Sequence, residues 1–244
     1  EGRNVQVSTI HAFCSNLILS NPEKFGNQPQ VISEAAKYEI LKEVMDEHIV
    51  DGHILFKDKG QRYSSKDQLL DLFSKMKKED YSKEKITAEL DEYFKEIELS
   101  AEEDPFYKQF KYAKKYKDKQ PGDLKPAFDK EKEKFKKLSQ GAEIVEEFSK
   151  KVSDKNYYDF DDMLLWTKRK LSEDRELQDK VSSDIKYLLV DEFQDTSVVQ
   201  NELINLLVKG NANPNIFVVG DDDQSIYRFQ GVSADNLEAF KGLY

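Results

Sequence analysis

Apolar and polar positions change their period twice along this chain. Residues 5–10, Val5-Gln6-Val7-Ser8-Thr9-Ile10, alternate and are largely β-branched, a pattern that predicts a strand. Residues 11–19 then carry Phe13, Leu17 and Ile18 at helical spacing, and Asn21-Pro22 ends that helix. From about residue 33 to residue 182 the period is helical, built from Lys, Glu, Leu, Phe and Tyr, with almost no strand signal. Ser33 is the expected N-cap of a helix over 34–48. Ser65-Lys66-Asp67-Gln68 and Ser100-Ala101-Glu102-Glu103 both fit the capping box, in which side chains satisfy the free N–H groups of a helix start. Pro121-Gly122 and Pro126 separate two basic stretches read as helical, and residues 159–171, with Phe160, Met163, Leu164 and Trp166, are amphipathic again. From Ile185 onward the pattern becomes strand (187–190), helix (198–208), strand (216–219) and a further helix from residue 236.

Both strands of that last region end abruptly in acids and amides. One runs Leu188-Leu189-Val190-Asp191-Glu192-Phe193-Gln194-Asp195-Thr196; the other runs from Val218-Val219-Gly220 into Asp221-Asp222-Asp223-Gln224. A continuous apolar run of this kind reads as a buried parallel strand, and open α/β sheets bind ligands beyond the carboxyl ends of such strands. Adjacent residues at a strand end point in different directions, so Asp191 and Glu192 can do different work. One can face a nucleotide's magnesium, largely through water; the other can orient or deprotonate an attacking water. An Asp-Glu pair after a strand, taken alone, most often caps the next helix. The second acidic cluster strengthens the metal-nucleotide reading, because a carboxylate run with no cation repels itself. Gln224, able to donate and accept, suits contact with a phosphate. Tyr227, Arg228 and Phe229 place two rings and a cation within three residues. They read either as a stacking platform for unpaired bases or as a ring under the sheet beside an ion pair.

Charge refines the picture of the helical block. Residues 88–104 hold eight acids and one lysine, whereas 106–138 hold twelve lysines against five acids, interleaved with Phe106, Tyr107, Phe110, Tyr112, Tyr116, Phe128 and Phe135. The plain expectation is solvated helix faces over an aromatic core; the functional one is a patch that holds a phosphate backbone, with Lys114, Lys115 and Lys117 as its candidates. The net charge of −10 argues against binding nucleic acid through an overall positive field. Cys14 is the sole cysteine, so no intrachain disulfide forms, and with only His11, His48 and His53 beside it a structural zinc site is not expected. No apolar stretch approaches ~18 residues and no signal peptide is evident, so a cytoplasmic protein is expected.

The motifs resemble those of the UvrD/Rep family of superfamily 1 DNA helicases. Residues 188–196 resemble motif II and residues 220–231 motif III; Thr9-Ile10-His11-Ala12-Phe13 resembles the Thr-Phe-His motif Ib. The run from Tyr158-Asp159-Phe160-Asp161-Asp162 to Met163-Leu164 resembles the segment that returns from an inserted domain to the first motor domain. The resemblance implies an α/β fold: a partial RecA-like parallel sheet, motor subdomain 1A, formed by 1–20 and 183–244, with a mainly helical 1B-like insertion over 21–182. It further implies an ATP-dependent DNA helicase that translocates on single-stranded DNA, 3′ to 5′, and unwinds duplex. Its cofactors would be ATP and magnesium, and its partners single-stranded and duplex DNA and the remaining helicase domains. The alternatives are the helicase subunit of a recombination-type helicase-nuclease, or an isolated duplex-binding or protein-interaction module.

Carried over by residue, the resemblance makes Asp191 the magnesium-positioning acid and Glu192 the activator of water. Gln224 becomes the γ-phosphate contact, with Asp221 also at the nucleotide, and Tyr227 and Phe229 stack on bases. Thr9 and His11 lie by the single strand, although His11 reads equally well as an ordinary helix-start histidine. The family often has Trp where Phe229 stands and Arg where Gln230 stands; Phe stacks over less area, and Gln230 would contact DNA without a permanent charge. The sequence contains no Gly-Lys dipeptide and hence no Walker A loop, and the family's later motifs are absent. It is therefore read as part of a longer helicase, expected not to hydrolyse ATP alone.

Overall fold

The computed structural model describes residues 5–25, 30–56, 61–101, 104–105, 108–209, 215–221, 240 and 242. The chain divides into two compact units. The first comprises Glu1–Lys37, Ser74–Asp80 and Val152–Tyr244; the second comprises Tyr38–Phe73 and Tyr81–Lys151.

In the first unit, helix α1 (Ile10–Ser20) starts at Thr9, whose hydroxyl accepts from Ala12 N–H at 3.1 Å, and stops at Asn21. A short helix α2 (Pro22–Phe25) follows, with proline in the first position, where its missing N–H is harmless. Strand β1 (Gln30–Val31) pairs in parallel with β2 (Tyr157–Tyr158), two strands of two residues each that carried no sequence signal. Helix α3 (Glu34–His48) is capped by Ser33, whose hydroxyl accepts from Ala36 N–H at 3.2 Å, and continues into the second unit. Helix α7 (Phe160–Glu173) begins with a complete capping box: Asp159 accepts from Asp162 N–H at 3.0 Å and Asp162 accepts from Asp159 N–H at 2.8 Å. Helix α8 (Arg175–Asp184), strand β3 (Leu188–Val190), helix α9 (Val198–Val208) and strand β4 (Ile216–Val218) complete this unit. Its core joins Cys14 and Ile18 of α1, Met163, Leu164, Leu165 and Leu171 of α7, Leu177 of α8, and Val199, Leu203 and Leu207 of α9. Burial there pushes the Cys14 thiol up to about 11.

Strands β3 and β4 are parallel, with Leu188, Leu189 and Val190 in register with Ile216, Phe217 and Val218, so β3, α9 and β4 form one strand–helix–strand unit. The sheet is not buried on both faces as its apolar runs had suggested. Leu188 packs on the core, but Leu189 is 73% and Phe217 63% exposed. Among the described residues these two strands pair only with each other, and the face carrying Leu189 and Phe217 is open. The strand expected over residues 5–10 does not form either: residues 5–9 are extended, Val5 and Val7 are exposed, and Ile10 already belongs to α1. Alternation alone does not make a strand; a ladder partner is required.

The second unit contains most of α3, the start of α4 (Lys66–Lys78), α5 (Lys83–Leu99) and most of the long α6 (Pro126–Asp154), again with proline at its first position. The rings of Phe73 and Phe148 meet edge to face at 4.8 Å. A second cluster joins Ile97, Phe110 and Phe128 with Tyr93 and Phe94, so Phe110 and Phe128 of the basic stretch are core, as the plain reading held, whereas Tyr116 is exposed. Neither predicted capping box in this unit is observed. Ser65 Oγ is buried without a hydrogen-bond partner, and Ser100 ends α5 rather than starting a helix, its N–H donating to Glu96 O at 2.8 Å. Residues 102–103 lie outside the described residues.

The first basic stretch is also not a helix. Residues 110–125 form an irregular hairpin, with bridges between Lys111 and Leu124 and between Tyr116 and Lys119. The turn places Lys117 at φ 54°, and the Tyr112 and Tyr116 rings stack, 6.0 Å apart and 8° from parallel. Among the described residues no helix is long and apolar enough to cross a membrane.

Candidate active site at the ends of two parallel strands

The carboxyl ends of β3 and β4 lie side by side because the ladder continues past both strands. Val219 N–H donates to Val190 O at 2.8 Å, and Phe193 N–H donates to Val219 O at 2.9 Å. Between these two bonds the chain must turn, and it does so at Glu192, whose φ of 50° and ψ of 45° are left-handed. For an L-residue that conformation costs about 1–2 kcal/mol, and backbone strain of this kind gathers at functional sites. The Asp191 carboxylate supports the turn by accepting from Glu192 N–H at 3.0 Å. A short 3₁₀ turn, Phe193–Asp195, follows. Phe193 anchors it as one of the largest fully buried side chains, its ring edge-on to Phe240 at 5.2 Å. Thr196 closes it, donating to Phe193 O at 2.6 Å. Ser197 and Gln200 then form a reciprocal capping box for α9, a Ser-x-x-Gln signal the pattern reading passed over.

This construction leaves Asp191, Glu192, Asp195 and Asp221 exposed around one strand-end edge while Gln194 points inward, only 6% exposed. The Gln194 amide spans the two strand ends. Its Nε2 donates to Glu192 Oε2 at 2.6 Å, and its Oε1 accepts from Asp221 N–H at 3.0 Å. The approach is so close that a Cβ on Gly220 would lie 2.7 Å from Gln194 Oε1 and 3.3 Å from Gln194 N. Sequence reasoning gave Gln194 no role of its own. Its one visible signal was an amide among acids; what it touches depends on a residue 27 positions away.

The other candidate residues fall in three groups. Thr9 is exposed and caps α1, and His11 is half-buried in the first turn of that helix. Lys114, Lys115 and Lys117 are exposed on the hairpin of the second unit, with the Lys117 ammonium 5.5 Å from the centre of the Tyr116 ring. Gln224, Tyr227, Arg228, Phe229 and Gln230 lie outside the described residues, as does most of the helix expected from residue 236. Among the described residues no cluster of three or more His, Cys, Asp or Glu could hold a metal ion. One or two carboxylates beside a phosphate-bearing ligand nevertheless suit magnesium, which keeps several waters.

A second polar cluster lies at the start of α7. Lys77, 8% exposed, reaches Asp159 at 3.0 Å and Asp162 at 2.7 Å, and Ser74 donates to Asp161 at 3.0 Å. Burial pushes the Asp159 carboxyl up, but the Lys77 charge and the hydrogen bonds from Lys77 and Asp162 N–H outweigh it, and the net displacement is downward. Asp162 is held above its usual range by burial, with the neighbouring Asp159 charge adding to it against the pull of Lys77. This is the segment whose sequence resembled the return from an inserted domain; its acids are engaged in tying the start of α7 to Ser74–Asp80.

Relatives share stretches of this sequence. The chain is 46% identical over 82 residues to the ATP-dependent DNA helicase Rep of Escherichia coli, covering 34% of this chain and 12% of that protein. It is 45% identical over 92 residues to the ATP-dependent DNA helicase SRS2 of Saccharomyces cerevisiae, covering 37% and 7%. A probable DNA helicase II homolog of Mycoplasma pneumoniae is 41% identical over 95 residues, covering 39% and 13%. The matched stretch thus spans a small part of the length of each. The family model described as the UvrD/REP helicase N-terminal domain matches residues 1–244 throughout, the carboxylate-bearing strand ends included, and the chain belongs to that family.

Proposed function

We propose that this chain is part of the motor of an ATP-dependent DNA helicase. In this reading residues 1–20 and 183–244 belong to a partial RecA-like subdomain 1A and residues 21–182 to a 1B-like insertion. The observation that carries the proposal is the pair of adjacent strand ends, where Asp191 and Glu192 are exposed and the Gln194 amide joins Glu192 to the backbone of Asp221. Such an edge is where a parallel sheet receives a nucleotide. Asp191 would hold magnesium, mostly through water. The bound ion would neutralise phosphate charge. Glu192, aimed by its left-handed backbone and by Gln194, would orient an attacking water and accept its proton. Gln224 would contact the γ-phosphate, and Tyr227, Phe229, Gln230, Thr9 and His11 would line a single strand moved 3′ to 5′. The helicase names of the matched relatives support this reading.

The test is ATP turnover and strand separation by the whole protein that carries this chain. We expect DNA-stimulated, magnesium-dependent hydrolysis there and none from the 244-residue chain alone, which lacks a Gly-Lys phosphate loop. Robust turnover by the isolated chain would refute its assignment as an incomplete motor.

A second activity is favoured by the stacked Tyr112 and Tyr116 beside exposed Lys114, Lys115 and Lys117: the hairpin holds a duplex by its phosphates. Reversing the three lysines to glutamate should weaken hairpin-DNA binding in fluorescence anisotropy. It should also reduce the slope of log affinity against log salt by up to about 3, near 0.9 per lost phosphate contact. Binding that is unchanged by the reversal, or independent of salt, would exclude the hairpin.

A further inference from the structure

We infer that Gln194 is a positioning residue that aims the Glu192 carboxylate at its water and locks it to the backbone of Asp221, so that the hydrolytic group and the end of β4 move as one body. The inference rests on the reading of Glu192 as the water-activating acid. Its grounds are geometric. The Gln194 side chain is buried, and each end of its amide is used in the sense its chemistry allows: the NH₂ donates to a carboxylate and the carbonyl accepts from a backbone N–H. The bond to the charged Glu192 is the shorter, as a charge-assisted hydrogen bond should be. Gly220 admits the amide by carrying no side chain; a methyl there would collide with Gln194 Oε1 at 2.7 Å. Glu192 itself is held in a left-handed conformation that the turn alone would not favour.

Two consequences follow from this linkage. Misplacing the carboxylate by about 1 Å is enough to lose roughly 10²-fold in rate, so the amide has a large lever on turnover without touching substrate. Asp221 also begins the segment that runs on to Gln224, Tyr227 and Phe229. A displacement of Glu192 during hydrolysis is therefore passed through one side chain to the start of the segment assigned to DNA.

The experiment compares three single substitutions in the whole protein. Gln194→Ala removes both bonds and should lower kcat by about 10–100-fold with little change in KM for ATP. Gln194→Glu keeps the size and the acceptor for Asp221 N–H but, ionised, repels Glu192. Its kcat should be depressed about as far as that of Gln194→Ala, although the bond to Asp221 N–H is kept. Gly220→Ala, which displaces the amide from the other side, should reproduce the kcat loss. In the 244-residue chain, hydrogen exchange at Asp221 N–H should speed up with Gln194→Ala and stay slow with Gln194→Glu. A purely structural role would not separate the two readouts, a lost kcat with retained exchange protection, in Gln194→Glu. If Glu192→Gln abolishes turnover while Gln194→Ala leaves kcat unchanged, the positioning role is wrong and the helicase reading stands. If the unsubstituted protein shows no turnover at all, both fall.

Discussion

Replacing Glu192 with glutamine is expected to reduce DNA-stimulated ATP hydrolysis by the whole protein by about 10²–10⁴-fold, the usual contribution of a general base. The substitution is nearly isosteric. Its amide oxygen can still accept from Gln194 Nε2, now 2.6 Å from Glu192 Oε2, and the left-handed backbone at this position need not change. What disappears is the negative charge and the capacity to take a proton. Nucleotide binding should therefore survive, and the loss should fall on kcat rather than on KM. Turnover measured under steady state, together with nucleotide affinity by equilibrium titration, separates the two. A variant that hydrolyses ATP at the original rate would remove Glu192 from the chemistry and with it the reading of this edge as the active site.

Lys77→Met should destabilise the chain by about 3–5 kcal/mol at neutral pH. It leaves the carboxylates of Asp159 and Asp162 buried without their cation, and a broken buried ion pair is far more harmful than an absent one. Methionine matches the length of the lysine stem, so lost packing contributes little. The pH dependence follows from the direction of the shifts. In the unsubstituted chain Asp159 lies below its usual value, so its contribution is present above the unfolded carboxylate range and is lost as pH falls through the lower folded value. Asp162, held above its usual value, opposes this in part, its penalty easing as the group protonates. Without Lys77 burial and mutual repulsion should raise both carboxyls, and the penalty then shrinks as pH falls and they protonate. Urea unfolding at about pH 7 and about pH 4.5 should show the gap between variant and parent closing at the lower pH. An equal gap at both, or none at either, would mean that the triad does not carry the charge coupling its geometry implies.

Much of the local architecture was legible because it is encoded within a few residues. Ser33 before α3, the β3–α9–β4 alternation and the helix over 198–208 are each decided by backbone hydrogen bonding and side-chain period over one or two turns. The failures share a cause. Val5 and Val7 look like a strand but have no ladder partner among the described residues, so they remain extended and exposed. Ser100 looks like a helix start but comes at the end of α5, because the same serine chemistry satisfies a carbonyl as readily as an N–H. The basic run was read as a helix, yet Pro121-Gly122 and the stacked Tyr112–Tyr116 pair turn it into a hairpin.

For the site, the sequence by itself determined which residue types stand at the ends of the two strands and, through its motifs, the helicase family. Only the tertiary structure decided that Glu192 takes a left-handed backbone, that Gln194 bridges it to Asp221, and that Lys77 is buried between Asp159 and Asp162. The physical reason is the range of the interactions. Period and capping are set by neighbours in sequence, whereas a buried amide or ammonium is placed by whichever polar groups packing brings within about 3 Å, here across 27 positions for Gln194 and Asp221 and 82 for Lys77 and Asp159.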